Sequence, residues 1–406
     1  MEKQKNVIKD ETKILIMLAF FSISMGLWSN FRQLWLQSNN MNVSEISSLL
    51  SMGTFISAIL IFISAKRLKL DKIKGFITGC LLLNSINMFI LFLINGNSNL
   101  NLIKACVILN IVLEKFVIIS IYPLITTIQK TDNIYSKRKL VEYLFRDIGI
   151  LVGGIFIGKT IFNLNVDYNV CLSISLLFML IATLVIANIK IRAGNKKSEI
   201  SFKFIHKDKI LITYLITYFI GTTAMRTGLG LKMLMLTNQL SFSPSNATNY
   251  SLVIGLLADL VGILALKYLT PKNDYVTITI KFGIRLALYT LAFVSNNVIL
   301  IIIAITWSLL ISTAYENKTD GIYINRVNTE YQLFFSDMRF VIGILAEALG
   351  LLFAGILFKY GIRYILGLSA LFIIPQITLS YRLIYLRNKE SFLNENIESR
   401  KIKETV

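Results

Sequence analysis

The sequence predicts an all-α polytopic membrane protein with about 12 transmembrane helices in two parallel six-helix halves. Three observations carry this: a composition too apolar for a soluble surface, an alternation of basic and uncharged loops, and a segment that occurs twice.

Of 406 residues, 55% are hydrophobic and only 16% charged, against roughly 25% in an average soluble domain. Mean hydropathy is +0.65. Pro is scarce (4), which favours long uninterrupted helices. The net charge of +19 would suggest nucleic acid in a soluble chain. Here the Lys and Arg sit in short loops between apolar runs, where they orient the chain against the bilayer, so no nucleic-acid partner is expected. Cys80, Cys106 and Cys171 lie far apart inside apolar runs, and the single histidine, His206, is in a polar loop. No CxxC or Cys/His spacing exists, so no metal or redox cofactor is expected. The phosphate-binding Gly-x-x-x-x-Gly-Lys-Ser/Thr loop is absent as well. Acids are scattered over several spans instead of gathered at one interface, which argues against a membrane-embedded enzyme and leaves no catalytic residue assigned.

A span needs about 20 apolar residues. In order, the apolar runs are 14–37, 44–64, 74–95, 102–128, 140–162, 168–190, 209–236, 247–269, 275–296, 298–316, 330–358 and 362–386. The first is too long for a signal-peptide core and lacks a small-residue cleavage site, so it reads as a retained span. The ninth and tenth are separated only by Ser295, Asn296 and Asn297. The N-terminus, the stretches 66–69 and 137–139, the segment 190–209 and the tail after Arg382 are basic, while loops 38–43, 163–167 and 237–246 hold no Lys or Arg. The positive-inside rule therefore places both termini and every basic loop in the cytoplasm. Lys104, Lys359 and Arg363, near outer ends, can snorkel. The expected domains are 1–190 and 209–388, joined by a central loop at 191–208 and followed by a cytoplasmic tail at 389–406.

The duplicated segment is Lys-Thr-Asp-x-Ile-Tyr-x-x-Arg-x-x-x-Glu-Tyr. Thr131 meets Thr319, and the same 188-residue offset pairs Asp132 with Asp320, Arg138 with Arg326 and Glu142 with Glu330. Each copy falls between the fourth and fifth spans of its half and on the same side. The repeat is therefore parallel, with its axis along the membrane normal.

In topology, central loop and repeat, nearly the whole chain resembles the major facilitator superfamily. That family's loop signature between spans two and three survives only in charge, as the stretch from Ser64 to Lys72, without its glycines. The resemblance implies a secondary transporter that works by alternating access, with the first helix of each half lining a central cavity.

Charged groups in mid-membrane are costly and usually face the protein interior or a wet cavity. Met25, Trp28, Ser29 and Arg32 share one face of span one, and Thr223, Arg226, Thr227 and Gly230 one face of span seven. With Asn110 and Lys115 of span four, Trp28, Arg32, Thr223, Arg226 and Thr227 are the candidate substrate contacts; a snorkelling or ion-paired arginine is the alternative. Glu114, Asp259 and Glu347 are the candidate proton-coupling acids. The alternative for Glu114 is an ion pair with Arg32 or Arg226, and for the other two a partner such as Arg339 or Arg285. Asp259 lies between Gly255 and Gly262, and Glu347 between Gly343 and Gly350, each on a face of small residues suited to close helix packing. Gly149, Gly153, Gly154 and Gly158 of span five read as packing glycines; the resemblance links such a span to exporters, here without the family's Pro. Asp132, Arg138, Glu142, Asp320, Arg326 and Glu330 are the candidate gating charges linking the halves, the Arg and Glu of each copy being i, i+4 pairs at a helix start; a solvated helix start is the alternative.

The expected function is proton-coupled secondary transport of a small solute across a bacterial plasma membrane by a monomer. Efflux of an amphipathic compound or small peptide comes first, and uptake or exchange of an organic anion second.

Overall fold

The computed structural model describes all residues except 1, 30, 66–71, 95–98, 129–131, 158–167, 190–204, 206–207, 269–273, 328–330 and 406. The central loop at 191–208 thus lies largely outside the described residues. Twelve helices follow the predicted runs in order. They are α1 (Glu2–Ser29, continued by Arg32–Ser38), α2 (Val43–Ala65), α3 (Ile73–Ile94), α4 (Leu100–Ile128), α5 (Asp132–Ile157) and α6 (Tyr168–Ala187). The second half comprises α7 (Lys209–Leu229, continued by Lys232–Leu234 and the π-turn Met235–Gln239), α8 (Pro244–Tyr268) and α9 (Asp274–Ile278, π-helical over Thr279–Gly283, then Ile284–Ser295). It ends with α10 (Val298–Asn325), α11 (Gln332–Phe358) and α12 (Ile362–Thr405). Among the described residues, seven stretches are long and apolar enough to cross a bilayer, including Val43–Ser64, Ile73–Ile94 and Phe334–Phe358. The chain is a multi-pass membrane protein.

Local chemistry sets the helix ends. Asn42 and Glu45 each accept the other's backbone N–H at the start of α2, a reciprocal cap. Asp208 accepts from the Ile210 and Leu211 amides and opens α7. Between α9 and α10, Asn296 turns left-handed (φ 50°) and the Asn297 side chain caps the next helix. That makes a real boundary out of a three-residue gap.

Outward faces such as Leu82, Leu83, Ile86 and Leu93 of α3 are exposed and apolar, as a lipid-facing surface requires. Within the first half, α1 crosses α5 at Gly26 and Gly149: a Cβ on either would overlap a backbone carbonyl, of Arg146 or Ile23 respectively. Gly153 and Gly154 likewise meet the Phe31 ring and Thr248, so α5 is a packing helix as its glycines predict; Gly158 lies outside the described residues.

Two seams join the halves. Along α2 and α11, Ser47 Oγ donates to the Leu351 carbonyl (2.6 Å) and Ser51 Oγ to that of Ala348 (2.8 Å). Farther along this seam, Ala58 and Ile61 cluster with Val341 and Ile344. Along α5 and α8, Gly154 packs on Thr248 and Gly255 on the Asp147 carboxylate.

Candidate functional site

Between these seams, α1, α4, α7 and α11 bring five charged side chains together. Arg32 lies just past a break in α1. The first segment of α1 ends at Ser29 and a new one starts at Arg32, so the predicted stripe is not one continuous helix face. Trp28 and Arg32 converge nonetheless: Trp28 Nε1 (2.8 Å) and Arg32 Nη1 (2.9 Å) both donate to Asn110 Oδ1. Asn110, fully buried, passes the chain on by donating to Asn84 Oδ1 of α3 (2.8 Å). Arg32 Nη1 also pairs with Glu114 Oε2 at 3.3 Å.

Glu114 and Lys115 are adjacent in sequence, yet the helix turns them to different partners. Glu114 stays with Arg32 in its own half, whereas Lys115 Nζ reaches Glu347 Oε2 of the other half at 2.7 Å. Arg226 Nη2 approaches the same Glu347 oxygen at 3.5 Å. Glu347 therefore does not meet Arg339 or Arg285. Arg339 donates to Tyr214 Oη (2.7 Å) and lies over the Tyr218 ring. The cluster holds three cations and two carboxylates, a net positive site. Arg32 Nε and Arg226 Nε are buried N–H donors without a hydrogen-bond partner.

Thr223 and Thr227 are not cavity residues. Their hydroxyls bond back to the Phe219 and Thr223 carbonyls, and their backbone packs on Gly350 of α11. Periodicity put them on one face with Arg226, and that face is the helix contact. The glycines flanking Glu347 serve this contact, Gly343 against Tyr218 and Gly350 against α7. The side chain of Asp259 lies outside the described residues.

Like α1, α7 breaks beside the site, at Gly230, before resuming at Lys232. The freed Gly230 carbonyl accepts from Gln33 Nε2 of the opposite half (2.8 Å), and Gln37 Nε2 donates to Asn238 Oδ1 at 3.2 Å. These bonds join α1 and α7 at the end of the bundle away from the termini. A second charged group bridges the halves nearby, where buried Asp147 of α5 interacts electrostatically with Lys232, beside Arg146. Sequence reading overlooked Gln33, Asn84 and Asp147. A polar residue inside an apolar run was the available signal for all three; the partner of Gln33, a backbone carbonyl, carries no sequence signal.

The expected gating charges divide. Arg326 does not link the halves. It forms a two-pronged bond to Glu390 (2.6 and 2.7 Å) and a third to Asp208 (2.8 Å), all within its own half. The bond to Glu390, then that to Asp208, pushes the Arg326 pKa up, with partial burial opposing. Nor does Arg326 start a helix: α10 runs to Asn325, and Arg326 turns the chain towards α11. The other copy, with Arg138 and Glu142, is inside α5. The repeat thus takes two backbone conformations, helical around Arg138 and a turn at Arg326. Glu142 is half-buried; the side chains of Asp132, Arg138 and Asp320, and all of Glu330, lie outside the described residues. Near the opposite end, Lys104 pairs with Glu45 at 3.5 Å, while Lys359 and Arg363 lie over Tyr360 and Tyr364.

Twelve helices in two halves around a central polar cluster define the fold of the major facilitator superfamily of transporters. Among solved structures, the chain is similar to the nucleoside transporter NupG (TM-score 0.67, 11% identity, covering 92% of this chain and 99% of the other). It is also similar to the E. coli fucose:proton symporter FucP (TM-score 0.65, 13% identity, 93% and 99%) and the human organic anion transporter MFSD10 (TM-score 0.62, 11% identity, 92% and 99%). By sequence, no family model and no curated protein matches the chain.

Proposed function

We propose that this protein is a secondary transporter that moves a small anionic or zwitterionic solute across the plasma membrane by alternating access. The observation that carries the reading is Glu347, held at once by Lys115 of the opposite half and Arg226 of its own, inside a net positive cluster. A solute carboxylate or phosphate competes with Glu347 for Lys115 and Arg226. When it wins, the bond that ties α4 to α11 is lost and the halves are free to rock. Arg32 Nε and Arg226 Nε offer the solute further donors. Once the solute draws Lys115 and Arg226 away, Glu347 loses the cations that keep it ionised and takes up a proton, which is how proton movement becomes coupled to the solute. Glu114, locked to Arg32, keeps the N-terminal side of the site in place.

Loop charge puts the termini in the cytoplasm. On that orientation the α1–α7 bonds through Gln33 and Gln37 lie on the external side and support an outward-closed reading. Export of an amphipathic compound or small peptide drew on the glycines of α5. Of those glycines, Gly149, Gly153 and Gly154 are occupied in packing against α1, Phe31 and α8, so the anionic solute takes precedence.

The test is flux in proteoliposomes under an imposed pH gradient, with a panel of labelled carboxylates, phosphorylated solutes, amino acids and neutral sugars. Saturable uptake of an anionic or zwitterionic member, lost in Arg226→Gln, is the expected result. Transport restricted to neutral or cationic compounds would overturn the reading.

A further inference from the structure

A second cationic site lies inside the C-terminal half, apart from the central cluster. Arg285 of α9 is only 6% exposed, and its Nε and Nη2 have no hydrogen-bond partner. The ion-paired carboxylates of this half are engaged elsewhere: Asp274 with Arg387, Asp208 and Glu390 with Arg326, and Glu347 with Lys115 and Arg226. What Arg285 does have is the ring of Tyr289, 5.2 Å from its Cζ. Tyr289 is fully buried against Gly228 of α7, and its hydroxyl also lacks a partner. Four residues before Arg285 stands Lys281, 7% exposed, within the π-helical turn of α9. Such turns re-aim side chains and occur frequently at functional sites.

A buried guanidinium without an acid is strongly unfavourable in a low-dielectric interior. A fold keeps such a guanidinium only where a counter-charge arrives from outside the chain. We propose that Arg285 binds an oxyanion, the carboxylate or phosphate of a solute or of a lipid headgroup, within the C-terminal half. Tyr289 backs the guanidinium from α9 with its ring. Gly228 leaves the room on α7 that the Tyr289 hydroxyl occupies. Arg285 takes no part in the Glu347 ion pairs, so different substitutions test the two.

The experiment follows thermal unfolding of the purified full-length protein while sodium phosphate replaces sodium chloride at constant ionic strength. Wild type is expected to rise saturably with phosphate. Arg226→Gln should retain a saturable rise, and Arg285→Gln should lose it, its apparent affinity falling about tenfold or more. In phosphate-free buffer Arg285→Gln should melt no lower than wild type, because it removes a charge that has no partner there. Arg285→Lys should keep a weakened shift, and it decides the matter if the glutamine variant does not fold. The proposal is overturned if chloride stabilises as well as phosphate, or if the shift survives undiminished in Arg285→Gln or Arg285→Lys. Reconstitution in phosphatidylcholine with or without phosphatidylglycerol separates the sources. A headgroup site is stabilised by phosphatidylglycerol and stops responding to phosphate, whereas a solute site keeps its phosphate response in both.

Discussion

Lys115 of α4 donates to the Glu347 carboxylate of α11 at 2.7 Å, joining two helices of opposite halves through the middle of the bundle. Both side chains are mostly buried, so the bond is charge-assisted and poorly screened. Removing Lys115 leaves Glu347 with Arg226 alone at 3.5 Å, and the loss of the charge-assisted bond costs about 2 kcal/mol. Lys115→Met should therefore lower stability by roughly that amount, and Lys115→Met with Glu347→Gln by less. Thermal unfolding of the two single variants and the double variant tests this. Additive losses would mean the pair is not coupled.

Flux should separate the two acids. Glu347→Gln is expected to cut gradient-driven transport at least tenfold while exchange of solute for solute persists, since its carboxylate competes with solute and carries the proton. Glu114→Gln should weaken solute binding through Arg32 and leave the gradient dependence in place. Counterflow and pH-jump measurements on the same vesicles read both quantities. If Glu347→Gln kept full proton-driven flux, the coupling role would be withdrawn.

The Gln33 amide satisfies a carbonyl freed by the break in α7. Gln33→Met removes one hydrogen bond, about 1 kcal/mol, and should shift the closed-to-open ratio at this end roughly fivefold. A cysteine placed at Ser29 and labelled from outside intact cells reports the change. An unaltered labelling rate would show that this bond does not hold the external side shut.

Gly149 admits no side chain because α1 crosses it at the Ile23 carbonyl. Gly149→Val should destabilise the protein by about 2–3 kcal/mol, as overpacking of a rigid contact does. Gly75, where a methyl would meet nothing within 4 Å, is the control, and Gly75→Ala should be close to neutral. Comparing folded yield and melting temperature of the two variants checks the contrast.

Arg326 ties the end of α10 to Glu390 in the long α12 and to Asp208 at the start of α7. Because its pKa is raised, its stabilisation is fully present below the ordinary arginine value and lost only as pH rises through the still higher folded value. Arg326→Gln should therefore cost about 1 kcal/mol at every working alkaline pH. The difference from wild type should shrink with salt, because the group is partly exposed. A melting series at increasing NaCl reads this out; a salt-independent difference would argue for a packing role instead.

Much of the site could be read from the chain because charge in an apolar run is rare and costly. Arg32, Glu114, Lys115, Arg226 and Glu347 stood out on that ground alone, and all five meet. Thr223 and Thr227 shared the periodicity of Arg226 but face α11. A helical repeat says which residues lie together and leaves open whether that face meets a cavity or a neighbour. The duplicated segment marked the parallel repeat, yet Arg326 works within its half, since its partners are 64 and 118 residues distant.

By itself the sequence determined the number and order of the twelve helices, because each rests on a local run of apolar residues; several extend past those runs, α5 back to Asp132, α10 to Asn325 and α12 to Thr405. It also determined the parallel halves, through the repeat. Only the tertiary structure decided the partners: that Glu114 stays with Arg32 while Lys115 crosses to Glu347, that Gln33 answers the break at Gly230, and that Arg285 is buried without an acid. Each of these depends on which helices pack side by side and at what height. That is set by the close approach of backbones at Gly26, Gly149 and Gly350, which bring together groups up to 232 residues apart.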